Sequence, residues 1–77
     1  MTKESETILN LLDLLEGQIP ADKLRSIKAY IDANENGIGF EVMLELISEH
    51  HVKVTEEFRE KAIWCGDQMQ IDVTPYF

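Results

Sequence analysis

The chain has one cysteine, Cys65, so an internal disulfide is excluded and a reducing compartment suits it. Basic side chains are scarce as well: seven against 15 acidic ones leave a net charge of −8. A field of that sign repels nucleic acid and anionic membrane surfaces, and attracts cations or basic proteins. No apolar run approaches the roughly 18 residues of a membrane span. The opening Met1-Thr2-Lys3-Glu4-Ser5-Glu6 is polar where a signal peptide would be apolar. The expectation is a cytoplasmic protein. Internal repeats and low-complexity segments are also missing.

What the chain does have is enough apolar content to fold, 44% of its residues, too much for a disordered acidic tail. At 77 residues it is expected to form a single helical domain spanning 1–77, near the size where one core only just suffices.

The apolar spacing predicts four helices. The first runs from about Ser5 to Glu16, with Ile8, Leu11, Leu12 and Leu15 in one stripe and Leu9 and Leu14 widening it. Gly17 suits a left-handed stop and Pro20 the first turn of a new helix, so the link between them should be tight. Short links favour antiparallel neighbours. The second helix, about Ala21 to Ala33, carries Leu24, Ile27 and Ile31 inward with Tyr30 beside them. A turn through Asn34, Asn36, Gly37 and Gly39 follows, because these residue types tolerate positive φ. The third helix starts at Phe40 and fades between Ser48 and His51. Thr55 then caps a fourth, with Glu56 and Glu57 at its positive end. Phe58, Ala62, Cys65 and Met69 share one face of that helix, and Gly66 weakens its last turn. Ile71 to Phe77 alternates and contains Pro75, which predicts an extended tail lying against the bundle. The fold class is therefore all-α, a small four-helix bundle with an extended C-terminal tail.

The third helix is the unusual one. Phe40, Met43, Leu44 and Ile47 form its buried face, while Glu41, Glu45 and Glu49 recur every four residues as a carboxylate ridge about 12 Å long. Like charges at that spacing repel by a few tenths of a kcal/mol per pair. The ridge also lies where the charge is concentrated, since Asp32 to Glu60 holds eight acids and two bases. Lys23, Arg25 and Lys28 make the preceding segment locally basic. The bland reading of the ridge is a solvated helix face.

Three acidic helical modules can be tested on the stretch. Asp32-Ala33-Asn34-Glu35-Asn36-Gly37 opens like the calcium loop of an EF-hand, but the twelfth place, which needs a bidentate Glu, is Met43, and the eighth is Gly39. An acyl carrier protein has this length and acidity, yet the place of its attachment serine is held by Gly37, so no prosthetic arm can be carried. The third comparison fits best. Asn34-Glu35-Asn36-Gly37-Ile38-Gly39-Phe40-Glu41, continuing through Met43-Leu44-Glu45-Leu46-Ile47-Ser48-Glu49, resembles the signature of the MafI-like immunity proteins of bacterial toxin systems. Glu35, Gly37, Phe40 and Glu41 fall on that signature and Glu45 and Glu49 on its acidic continuation. Asn34 stands for a glycine, Asn36 for an aromatic and Gly39 for an alanine. Ile19-Pro20-Ala21-Asp22 and Val54-Thr55-Glu56-Glu57 agree more loosely.

The resemblance implies a small helical protein that binds and blocks the C-terminal effector domain of a cognate toxin, often an RNase. A nuclease is basic because it holds phosphates, so a carboxylate ridge is suited to its surface. On this reading Asp32, Glu35, Glu41, Glu45 and Glu49 contact the partner, and the protein is no enzyme and has no cofactor or metal. It touches neither nucleic acid nor membrane. The alternatives are a degenerate EF-hand-like calcium-responsive regulator and a generic helical adaptor. His50 and His51 are adjacent and diverge on a helix, which suits caps or surface positions better than a shared metal. Cys65 reads as a buried thiol and Trp64 as core.

Overall fold

In the computed structural model, which describes residues 1–77, the chain forms four α-helices and no strand. These are α1 (Lys3–Leu14), α2 (Ala21–Asp32), α3 (Asn36–Glu49) and α4 (Glu56–Met69), followed by a 3-10 turn, Thr74–Tyr76. The small all-α four-helix bundle expected from the apolar spacing is what the chain adopts. No helix is long and apolar enough to cross a membrane.

Helix starts follow local hydrogen bonding. The Thr2 hydroxyl accepts from the Ser5 N–H at 3.1 Å and the Thr55 hydroxyl from the Phe58 N–H at 3.1 Å, so α1 and α4 both open with a side-chain cap and acids in the first turn. The first of these caps moves the start of α1 two residues ahead of the expected Ser5.

Helix ends share one device. Asn34, His51 and Gln70 have φ of 63°, 52° and 57°, in the left-handed region. At each, the following N–H bonds back five residues: Glu35 to the Tyr30 carbonyl, Val52 to Ile47 and Ile71 to Gly66, at 2.8, 3.0 and 2.8 Å. This is the Schellman arrangement, which satisfies carbonyls the helix leaves open. Gly17, at φ 85°, makes the left-handed turn after α1 as expected.

The core is one cluster of 17 buried residues drawn from every helix, the α1–α2 link and the tail. Pairing follows link length across residues 33–35, between α2 and α3, and departs from it between α1 and α2. α1 packs chiefly on α4, and α2 chiefly on α3, while α1 and α2 touch less. Gly39 permits the close packing of α3 on α2. A Cβ there would stand 2.8 Å from Ile31 Cδ1 and 3.2 Å from Tyr30 Cβ, so the missing side chain lets α3 settle against the end of α2. The expected turn is correspondingly shorter: only Asn34 has positive φ, and Gly37 and Gly39 are wound into α3.

The tail is more compact than alternation suggests. Asp72 Oδ1 accepts the Thr74 N–H at 3.0 Å, which lowers the Asp72 pKa, and the Tyr76 N–H bonds the Val73 carbonyl at 3.1 Å. Pro75 fits the resulting 3-10 turn because its fixed φ is helical. Val73 is buried, and the Phe77 ring meets Phe58 edge to face at 6.4 Å. Gly66 serves this docking rather than merely weakening α4: a Cβ there would lie 2.5 Å from the Ile71 carbonyl oxygen.

Candidate partner-binding surface

The inner face of α3 fixes its outer one. Phe40, Met43 and Leu44 are fully buried and Ile47 is 1% exposed. With these four inward, the helical repeat turns Glu41, Glu45 and Glu49 to solvent, and all three are exposed. Successive members drift by about 40°, since four residues overshoot a 3.6-residue turn, so the row winds slightly along the helix. The start of α3 is tied down by Asn36. Its Nδ2 donates to Ser5 Oγ at 2.8 Å and to Thr2 Oγ1 at 3.4 Å, binding α3 to the first turn of α1. Asn36 Oδ1 is buried without a donor.

The five candidate contact residues are all exposed, but they do not converge. Asp32 ends α2 and Glu35 is the N-cap residue of α3, so these two stand at the α2–α3 turn. Glu41 and Glu45 follow along the helix. Glu49 ends it, about 21 Å from Glu35 at a rise of about 1.5 Å per residue. The surface is a strip, not a pocket.

Nothing within the chain neutralises the strip. The one ion pair is Lys61 to Glu57 on α4, at 3.5 Å, so no cation lies within 4 Å of any of the five carboxylates. Helix electrostatics make two of them unfavourable, because Asp32 and Glu49 sit at helix C-termini, where the macrodipole is negative, and neither helix has a base in its last turn.

Apolar side chains stand among the carboxylates, and sequence reasoning missed them. Ile38 is 47% exposed and Tyr30, expected to turn inward, is 38% exposed. Ile38, Val42, Glu45 and Glu49 lie at i, i+4, i+7 and i+11 on one face of α3. That spacing was available in the sequence, but assigning Ile38 to a turn concealed it. Tyr30 approaches the same helix, since its Cβ is the atom nearest the vacant Gly39 position after Ile31. The surface is thus an acidic strip with an aromatic and an aliphatic group near its start.

The other singled-out residues have structural surroundings. The span resembling a calcium loop is not a loop, because residues 36 to 43 are helical and the twelfth place, Met43, is in the core. No group of three or more acids, histidines and cysteines is arranged to hold a metal ion. His50 is the C-cap residue of α3, and His51 takes the left-handed turn after it; both are exposed. Cys65 is fully buried, and burial, with a smaller contribution from the charge of Glu4, pushes its thiol up to about 11. A thiol so protonated is a poor nucleophile. Trp64 is only half-buried, with Lys3 Nζ 5.4 Å from its ring centroid.

Compared with protein-family models, with curated proteins and with solved structures, the chain matches none of them.

Proposed function

We propose that this protein is an immunity protein of the MafI-like kind, which binds the C-terminal domain of a cognate bacterial toxin through the outer face of α3. The observation that carries the reading is the row Glu41, Glu45 and Glu49, exposed and without a cation within 4 Å, on a helix whose other face is core. Repulsion along the row costs stability rather than adding it. A partner that brings arginines or lysines reverses that sign. A phosphate-binding nuclease domain is such a partner, since the groups that hold a nucleic acid backbone also bind carboxylates. Opposed fields speed encounter between the two proteins, which matters when the toxin must be caught before it cuts. Tyr30 and Ile38 supply apolar contact beside the charges at the start of the strip, and tyrosine is a common anchor residue at interfaces. The function is inhibition by binding, with no catalysis, cofactor or metal of its own.

The test has two steps. The protein should co-purify with the product of the adjacent gene, expected to be a large secreted protein with a variable C-terminal domain. That domain is then titrated with the wild type and with folded Glu41→Lys and Glu45→Lys variants. Tight binding that both variants lose supports the reading; equal affinity in all three removes the strip from it.

A further inference from the structure

The largest concavity lies away from the carboxylate row, between the end of α1 and the start of α2, with a volume of about 770 Å³. Leu12, Ile19 and Leu24, all nearly or fully buried, lie behind its lining, and Pro20 and Ala21 are its exposed apolar residues. Its rim carries Arg25 and Lys28 from α2 and His50 from the end of α3, with Glu16 as the only acid. In a chain of net charge −8, this lining is positive. Neither Arg25 nor Lys28 has an ion pair or a side-chain hydrogen bond within the chain. Two cations therefore stand unpaired at the rim of a cleft, in a protein with more than twice as many acids as bases.

We propose that this cleft is a docking site for an acidic segment of a partner protein. A carboxylate of the segment meets Arg25 and Lys28, and an aliphatic neighbour lies against Pro20 and Ala21. Charge complementarity selects the acid, and the guanidinium offers it two parallel donors. The cleft is open rather than enclosed, which suits a chain segment better than a small molecule, whose sites enclose most of their ligand. The site has the opposite charge from the α3 strip and does not depend on the function assigned to that strip.

Nitrogen-15-labelled full-length protein, titrated with a capped hexapeptide alternating glutamate and leucine, tests the assignment. Saturable shifts are expected at the amides of Gly17, Gln18, Ala21, Leu24 and Lys28. An Arg25→Gln/Lys28→Gln double variant, which changes rim residues outside the core and should keep its spectrum elsewhere, should weaken the peptide about tenfold, roughly the worth of one charged contact. The lysine–leucine counterpart should instead shift α3 amides near Glu41 and Glu45, so failure at the strip is read separately from failure at the cleft. Shifts outside the cleft, no shifts, or equal affinity for the double variant would overturn the proposal. So would sodium butyrate saturating the same amides at the same carboxylate concentration, which makes the cleft a site for small free carboxylates.

Discussion

On its inner side α3 buries Phe40, Met43, Leu44 and Ile47 almost completely, while on its outer side Glu41, Glu45 and Glu49 stand in water with no cation within 4 Å. The inner face contributes about 1.5–3 kcal/mol for each large apolar side chain it removes from water. The outer row opposes folding by a few tenths of a kcal/mol per like-charge pair. The disparity teaches that the outer row is not what holds the helix in place. The outer face is then free to carry an arrangement that folding does not favour, and the proposed partner contact uses that freedom.

The comparison is broken most directly from the inside. Phe40→Ala should destabilise the fold by about 3–5 kcal/mol, the usual loss for an aromatic truncated in a packed core. Urea unfolding followed by circular dichroism checks it, and a loss below about 1 kcal/mol would mean that the inner face is not what anchors α3.

The same core includes Cys65 of α4. Its thiol is held at about 11 against an ordinary 9.0, so the folded state keeps its proton where the unfolded chain loses it. The sign follows from the raised value: the contribution is intact below pH 9.0 and is lost as pH rises toward 11. A shift of that size corresponds to about 2–3 kcal/mol. Unfolding measured at pH 8 and pH 11 should show this loss in the wild type and not in Cys65→Ala.

Two glycines sharpen the contrast at a smaller scale. Gly66→Ala pushes a methyl group toward the Ile71 carbonyl and should cost about 1–3 kcal/mol, as overpacking does. Gly37→Ala meets nothing within 4 Å on α3 and should gain about 0.4–1 kcal/mol by restricting the unfolded chain. Thermal unfolding of the two variants should move in opposite directions.

Much of this was legible before any coordinates. The period of Ile8, Leu11, Leu12 and Leu15, and of Leu24, Ile27 and Ile31, fixes which faces are buried, because amphipathic spacing responds to the same water that drives burial. The carboxylate row was legible for the same reason, as the complement of Phe40, Met43, Leu44 and Ile47. What was not legible depended on neighbours distant in sequence. Gly39 reads as a turn residue until Ile31 and Tyr30 are seen against it. Leu14 was counted as widening an apolar stripe yet is 44% exposed, because at 3.6 residues per turn it lies roughly 100° round the helix from Ile8, Leu11, Leu12 and Leu15. Tyr30 and Ile38 could be assigned to the surface only once the ends of α2 and α3 were known. The basic cleft needs three separate segments, α1, α2 and His50 after α3, and no local pattern announces that they meet.

Glu45→Lys tests the central claim most directly, because it replaces two repulsive pairs with attractive ones and places a base near the end of α3. Opposite changes are expected in this one variant: folding stability unchanged or raised by about 0.5 kcal/mol, and affinity for the adjacent gene's C-terminal domain lowered at least about tenfold, the size of a single lost charge contact. Unfolding midpoint and binding isotherm, measured on the same sample, give both numbers. Affinity equal to wild type in a variant with an unchanged midpoint would contradict the account, leaving the outer face of α3 as nothing more than a hydrated surface.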